Sequence, residues 1–561
     1  MAYYGIDLGT TYCSVAYAER GVVTRVAVDR GSFVMPSLVM LDDRLGDAPR
    51  CLTGTFAANR YRDLCAEFGD APPGVQLVRG SKRHVGVTRA ASGPPWRFAG
   101  QSLHATDIAA LTLRALAQQI EWNPALPPID GVVVTHPQRF RNRERRAVAQ
   151  AAAIAGLQVV GLVPEPDAAA YAYGLGPRLK GRNATFMVFD FGGGTLDVTV
   201  LRRASGGGPD RLEALASYGV ELGGLAIDER VRDHLLGRYA EALGLFDLGL
   251  DTLSEASREA LLGVAEGLKI QLNAHASADT NPMARVAVRA VALQTVDGRS
   301  FNAAPLRMSL GEFSSLIHDV IERAAHCASE ALGRAGLGWS SLDEVLMVGG
   351  SSWLYPVQQK LRALCEGAAG GGAGGALAGP AVRLFDDVDD PMNPATAVAS
   401  GAARYAEQRA AEAPVMDYHG VTPDALGVRA READPSRPGE RREALAVLVP
   451  ARTRVPFEGR RVFRKRGGAR VLPIEVLEGA SLVEASVLGR FDVALPADLA
   501  DGAPVEVVLD VARDGVLSLG VRDPASDRVE RVTLRDAEGL YADDEIEARR
   551  QWLSTVSIDR R

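Results

Sequence analysis

The stretch Phe186-Met187-Val188-Phe189-Asp190-Phe191-Gly192-Gly193-Gly194-Thr195-Leu196-Asp197-Val198-Thr199-Val200 decides how this chain is read. Apolar and β-branched residues run into an aspartate, three glycines, a threonine and a second aspartate, then into another β-rich run. That order reads as strand, tight turn, strand. Glycines let the backbone approach a ligand closely and aim its N–H groups at an anion. Asp190 and Asp197 repel a phosphate, so they serve one only through a divalent cation and its water shell. The turn reads as a metal–phosphate site, and a ligand-free glycine hairpin is the alternative.

A second copy lies near the N-terminus. Tyr4-Gly5-Ile6-Asp7-Leu8-Gly9-Thr10-Thr11 also runs from a strand through an aspartate into a glycine–threonine turn. Two such turns about 180 residues apart imply two similar halves closing on one nucleotide. Neither is a Walker loop, because no glycine-lysine-serine/threonine follows, and neither is a GxGxxG helix entry.

The 561 residues correspond to three or four domains, and 47% hydrophobic content supplies large cores. A net charge of −7 argues against a general nucleic-acid binder. Only five lysines occur (Lys82, Lys180, Lys269, Lys360 and Lys465), so each is informative. Five scattered cysteines with no CxxC pair suggest a reduced cytoplasm rather than a disulfide or zinc framework. A strand beginning near Tyr3 leaves no room for a signal peptide, and no apolar run reaches membrane-spanning length. The expectation is a cytoplasmic protein with no membrane or nucleic-acid partner.

Around the central hairpin, residues 1–100 read as short β-rich runs. Helices follow at 104–120 and 142–155, with strands at 131–135 and 159–163 and a helix at 168–174. This alternation is α/β in character. Downstream, a glycine turn at 219–224 enters a helix, and 253–273 reads as a long amphipathic helix. A β segment at 285–295, helices over 310–334, a buried strand at 345–348 and a helix at 393–408 complete the region. The glycine/alanine-rich run 366–380 reads as a flexible insertion. Short alternating strands fill 444–534 and suggest a β-sandwich. Asp514-Gly515 signals a hairpin turn. One amphipathic helix covers 542–556.

Five motifs in this order resemble the seventy-kilodalton heat-shock chaperones, the DnaK family, on the actin/sugar-kinase ATPase fold. They are Gly5 to Tyr12, Glu165-Pro166-Asp167-Ala168-Ala169-Ala170, Asp190 to Asp197, Leu222-Gly223-Gly224 and Val348-Gly349-Gly350-Ser351. The resemblance implies an α/β, two-lobed ATPase domain over 1–408 and a linker over 409–423. An all-β substrate-binding sandwich over 424–538 and a shortened helical lid over 539–561 follow. It implies ATP and Mg²⁺ as cofactors. Asp7 and Asp190 would hold the metal through water. Lys82 would face the γ-phosphate and the attacking water, Glu165 and Asp197 would order further waters, and Thr195 would place a hydroxyl beside the γ-phosphate. Gly9, Thr10, Thr11, Tyr12, Gly192, Gly193, Gly194, Gly223, Gly224, Gly349, Gly350 and Ser351 would line the nucleotide. Glu266, Lys269 and Asn273, three and four apart on one helical face, would grip the adenosine. Trp353 would replace the family's adenine-stacking arginine, and Ile270 stands at a second arginine position. Ala395 replaces the aspartate that usually follows Asn393-Pro394.

Pro137 and Arg145 match the family's nucleotide relay, inside an arginine-rich segment (Arg139, Arg141, Arg143, Arg145, Arg146) that is either a solvated face or a partner site. The linker is altered to Pro414-Val415-Met416-Asp417-Tyr418-His419-Gly420, with only Val415 and Met416 apolar at the docking positions. In the sandwich, Leu472 is either a client pocket or core. The polar segment 429–443 stands in place of an arch over the client. Arg460, Arg461, Arg464, Lys465, Arg466 and Arg470 either protect a sheet edge or select acidic clients. The implied function is an ATP-dependent chaperone for unfolded or extended polypeptides, served by a J-domain co-chaperone and a nucleotide-exchange factor. A nucleotide-gated scaffold or adaptor is the alternative, and a sugar-kinase-like phosphotransferase is the third reading.

Overall fold

The computed structural model describes residues 2–559 except 45–49, 88–95, 175–181, 207–209, 279–282, 284, 303–305, 369–379, 385–389, 391–392, 411–415, 434–435, 438, 466–469, 496–498, 513–516, 523–528 and 534–539. The insertion at 369–379, the Asp514-Gly515 turn, Pro414, Val415 and Arg466 therefore lie outside the described residues.

Two six-stranded sheets, the second completed by a strand from the linker, frame the first domain, and both are built the same way. In one, Val159–Pro164, Gly131–His136 and Tyr3–Asp7 run parallel, and Tyr12–Glu19 and Val22–Val26 continue antiparallel. In the other, Ala381–Arg383, Glu344–Val348 and Ala184–Phe191 run parallel, and Leu196–Ala204 and Asp210–Val220 continue antiparallel. Each half thus opens with a meander whose first bend is one of the two glycine–threonine turns. The repeated topology is the pair of similar halves that the duplicated motif implied.

The helices Glu165–Gly174 and Ala397–Ala410 pack against each other between the sheets, on a core of Ala168, Tyr171, Val188, Leu346 and Ala402. Their approach is so close that a Cβ on Gly401 would sit 1.7 Å from the Ala168 carbonyl oxygen. Only glycine fits there, which ties one small residue to the spacing of the two halves.

One element departs from the β-rich reading of residues 1–100. Gly54–Phe68 is a helix, buried through Ala57, Tyr61 and Leu64. Those positions follow helical spacing, but the short strands on either side obscured it. It covers a small sheet of Arg50–Thr53, Leu38–Asp42 and Val75–Arg79. The chain leaves Val75–Arg79 directly into the short 3₁₀ turn Ser81–His84, which carries Lys82. The remaining helices, including Glu255–Ala278, lie close to where the periodicity put them.

The second domain is a sandwich. One sheet orders Arg441–Val449, Leu426–Ala433, Val471–Glu478 and Ser486–Ala494, and the other orders Phe457–Arg464, Pro504–Val511, Leu517–Arg522 and Val529–Thr533. Alternating residues such as Leu426, Val476, Leu509 and Leu519 fill the space between the sheets. The segment expected as an arch over a client is mostly strand: Ala433 pairs with Arg441 and Arg429 with Leu445 in a regular ladder. Its charges are what an outward-facing edge hairpin carries. Leu472 is half-buried against the sandwich core. Arg460 and Arg461 on the edge strand Phe457–Arg464 pair with Glu458 and Glu432.

Two segments tie the sandwich back to the first domain. Met416–His419 adds as a parallel strand to Asp210–Val220. Backbone hydrogen bonding therefore docks the linker, and the scarcity of apolar residues does not prevent it. The C-terminal helix Asp543–Thr555, expected as a lid over the sandwich, packs instead on the first domain against Asn142–Ile154. Leu553, Val556 and Ile558 enter the same core as Ile108 and Val148. Tyr541 Oη donates to Asp107 at 2.6 Å, and Gln150 brackets the Tyr541 backbone at 2.7 and 3.0 Å. Trp552 meets Phe98 edge-on, and Ser557–Asp559 pairs in parallel with Arg50–Leu52. The helix settles there because that surface offers an apolar groove and an open strand edge together. Among the described residues, no helix is long and apolar enough to cross a membrane.

Candidate nucleotide cleft

A cleft of about 250 Å³ opens between the two halves. Both glycine–threonine turns reach it, and they face each other closely. A Cβ on Gly193 would meet Thr11 Oγ1 at 1.7 Å, and one on Gly194 would meet the Thr10 side chain at 2.8 Å. The second turn is braced from behind: Gly224 N donates to Gly192 O at 3.1 Å, Leu225 N to Gly193 O at 2.8 Å and Ser351 Oγ to Gly192 O at 2.8 Å. With its carbonyls held back, the Gly193 and Gly194 amides make no hydrogen bond among the described residues, and neither do those of Thr10 and Thr11. Four unused N–H groups at one place form an anion cradle.

Beneath the cradle lies a buried charge cluster. Lys82 Nζ donates to Glu165, and Asp7 accepts from Thr135 at 3.1 Å. Burial, with Glu165 beside it, pushes Asp7 up to about 7. The same two causes push Asp197 up to about 7 and Asp190 well above the usual carboxylate range. Burial alone would depress the Lys82 ammonium, but Glu165 and Asp7 reverse that and raise it. Asp190 Oδ2 and both Asp197 carboxylate oxygens are buried without a hydrogen-bond partner. Buried acids with spare oxygens and mutual repulsion are completed by a cation, so this donor set fits Mg²⁺. Among the described residues, no three such side chains converge to chelate an ion by themselves. A metal here would take its remaining ligands from water and phosphate.

The other end of the cleft is formed by Tyr12, Asp228, Glu266, Lys269 and Ile270. Lys269 Nζ pairs with Asp228 at 2.8 Å, while burial raises Asp228 to about 6. Tyr12 Oη donates to Glu266 at 3.2 Å across the two halves. Arg79 spans the same gap to Glu259 and lies 4.0 Å from Glu266. These contacts close the cleft from above.

Most of the sequence-derived set converges. Asp7, Gly9, Thr10, Thr11, Tyr12, Glu165, Asp190, Gly192, Gly193, Gly194, Thr195, Gly224, Glu266, Lys269, Gly349, Gly350 and Ser351 line the cleft. Lys82 and Asp197 are buried below it, and the Gly223 backbone packs on Gly193, where a Cβ would sit 2.3 Å from the carbonyl oxygen. Two residues belong elsewhere. Asn273 Oδ1 accepts the Tyr355 backbone N–H at 2.7 Å, at the start of the helix Tyr355–Ala368. One helical turn beyond Lys269, it has passed the cleft and reached the next helix. Trp353 is half-buried and absent from the lining, which puts the exposed Ile270 side chain at the apolar rim instead. Ala395 lines the cleft and brings no charge to it.

Sequence reasoning missed Arg79 and Asp228. Asp228 had a usable signal, an acid one turn into the helix that follows Gly223-Gly224. Arg79 had none, because its partners lie 180 residues away.

Comparison with protein-family models matches residues 3–369 to the Hsp70 protein family. Members of that family are ATPases that bind ATP with Mg²⁺.

Proposed function

This chain belongs to the Hsp70 protein family, and we propose that it is an ATP-driven chaperone that binds and releases extended polypeptide segments. The observation that carries the reading is the convergence of two amide cradles over one buried, under-neutralised acid cluster. Phosphoryl transfer is catalysed mainly by positioning and charge stabilisation, and that is what such a site provides.

In this reading, the Thr10, Thr11, Gly193 and Gly194 amides hold the phosphates. Lys82 offsets negative charge developing at the γ-phosphate, and Glu165 keeps its ammonium in place. Asp197 and Glu165 orient the attacking water, and Thr195 holds the phosphate edge. Asp7 and Asp190 hold hydrated Mg²⁺, which when bound would neutralise charge on the phosphate oxygens. Glu266, Lys269 and Ile270 contact the nucleoside. The functional units we infer are an ATPase over 1–408, a linker over 409–423 and a sandwich over 424–538, with 539–561 serving the ATPase unit. Extended clients would pair with the sandwich, where backbone bonds set register and apolar pockets set preference. Family members typically bind unfolded clients and co-chaperones, and a J-domain partner and an exchange factor are proposed on that ground. A reducing compartment such as the cytoplasm suits the five unpaired cysteines.

The test is ATP turnover by the purified chain, alongside Lys82→Ala. Loss of one such charge-stabilising donor is expected to lower kcat by about 10²–10³. Peptide affinity measured with ATP and with ADP completes it. Different affinities support a chaperone cycle, whereas equal ones would describe a nucleotide-bound scaffold. No ATP binding at millimolar nucleotide refutes the ATPase reading.

A further inference from the structure

A second, larger cavity of about 500 Å³ lies where the two halves of the ATPase domain meet the linker and the sandwich. Six arginines line it: Arg83, Arg139, Arg141, Arg143, Arg334 and Arg452. Only three carboxylates share the wall, and each is already matched. Arg139 pairs with Glu221 at 2.9 Å, Arg141 with Asp424 at 3.0 Å, and Arg143 lies 3.9 Å from Glu144. Arg334 finds its acid outside the cavity, in Glu330 at 2.8 Å, and stacks 4.0 Å over the Tyr218 ring. Arg83 and Arg452 make no ion pair among the described residues. In addition, the Nε atoms of Arg139 and Arg143 are buried with no hydrogen-bond partner.

Buried guanidinium donors are rarely left unmade, because the desolvation cost is not recovered. An excess of arginines around one concave space is the arrangement that recognises phosphate, through planar forks that bind two oxygens at once. The volume falls within the range of small-ligand sites. Tyr218 and Phe140 add apolar surface to the wall.

We propose that this interdomain cavity binds a small phosphate-bearing polyanion, separate from the nucleotide cleft, and that the bound anion holds the sandwich against the ATPase domain. The arginines come from three bodies. Arg83, Arg139, Arg141 and Arg143 belong to the first half, Arg334 ends a helix of the second half, and Arg452 sits in the sandwich. A ligand reaching all three binds the docked arrangement better than the separated one. By linkage it then favours docking by the same factor.

The experiment is calorimetric titration of the full chain with inorganic tripolyphosphate, with one equivalent of ATP and MgCl₂ present to fill the nucleotide cleft without leaving free ATP to compete for the cavity. The variant is Arg83→Ala/Arg452→Gly. Both side chains are exposed and outside the cleft, and Arg452 has φ 61°, which glycine adopts without strain. The control is Arg20→Gly/Arg62→Ala, with the same charge change and another left-handed position, neither residue lining the cavity. Binding by parent and control that is at least tenfold weaker in the variant supports the site. Equal binding in all three, or no heat beyond a salt-matched blank, overturns it. A second arm replaces tripolyphosphate with GTP. Comparable affinity identifies a phosphate-only ligand, and tenfold tighter binding identifies a nucleotide whose base uses Tyr218 and Phe140.

Discussion

Four carboxylates and one ammonium share the floor of the nucleotide cleft, and without a cation their charges do not balance. Asp7, Asp190 and Asp197 are raised by burial and by Glu165, while Lys82 serves Glu165 first. Such a cluster opposes folding in the nucleotide-free state and becomes favourable once a cation and phosphates arrive. Sites tuned for activity often carry this cost in stability. Asp190→Asn should therefore raise the melting temperature of the nucleotide-free protein, by at least ~2 °C, while turnover is lost. Differential scanning fluorimetry with and without Mg-ATP checks both halves. A lower melting point for the nucleotide-free variant would show that Asp190 is structural. The same scale explains where residue-level reading succeeded. Glycine next to threonine and aspartate was legible because the chemistry dictates those types at that spacing. Asn273 shares a helical face with Lys269 yet reaches the next helix, because helical phase alone does not say where a cleft ends, and Trp353, placed by the resemblance, lies outside the lining.

At the scale of elements, the C-terminal helix is the instructive case. Its apolar positions identified it as a helix that must be covered, without naming the cover. The structure places Leu553, Val556 and Ile558 in the core of the first half and adds Ser557–Asp559 to its small sheet. Each buried aliphatic side chain contributes roughly 1.5–3 kcal/mol. Deleting residues 540–561 should thus destabilise the ATPase domain and expose the Arg50–Thr53 edge, read as faster exchange of those amides in Arg50–Thr53 that face Ser557–Asp559. A lid would behave differently: its deletion would speed client release and leave those amides protected. The linker shows the complementary case. Its side-chain pattern looked weak, yet a strand needs only backbone partners, and Asp210–Val220 had an open edge.

Across the whole molecule, the sandwich touches both halves of the ATPase domain. Arg454 reaches Glu213 at 3.6 Å on one half, while Arg141 holds Asp424 and Ser486 at 3.0 and 2.9 Å from the other. Between them, Glu478 Oε2 accepts the Asn142 N–H at 2.8 Å at a helix start. Burial pushes Glu478 up to about 7, partly opposed by Arg145. Arg145 therefore lies beside the domain contact. A carboxyl raised above its unfolded value, near ~4.3, binds its proton more tightly in the docked state. Its contribution is complete below that unfolded value and is lost as pH rises through about 7. Docking should loosen as pH rises from about 5 to about 7 and change little above that, seen as reduced exchange protection at Asn142 after correction for intrinsic rates. Glu478→Gln, which keeps the acceptor and removes the titration, should flatten that dependence. Persistence of the slope in the variant would assign it to another group.

The amino-acid sequence by itself determined the duplicated half, the paired glycine–threonine turns, the α/β and all-β folds and the residues beneath the cleft. Those features depend on local spacing: glycine where backbone meets anion, apolar residues at period two or 3.6, acids beside the turn. Tertiary structure alone decided which surface the final helix covers, that the linker becomes a sheet strand, and that six arginines scattered from Arg83 to Arg452 surround one cavity. These depend on matching surfaces between segments hundreds of residues apart, and periodicity along a chain carries no information about a partner that distant.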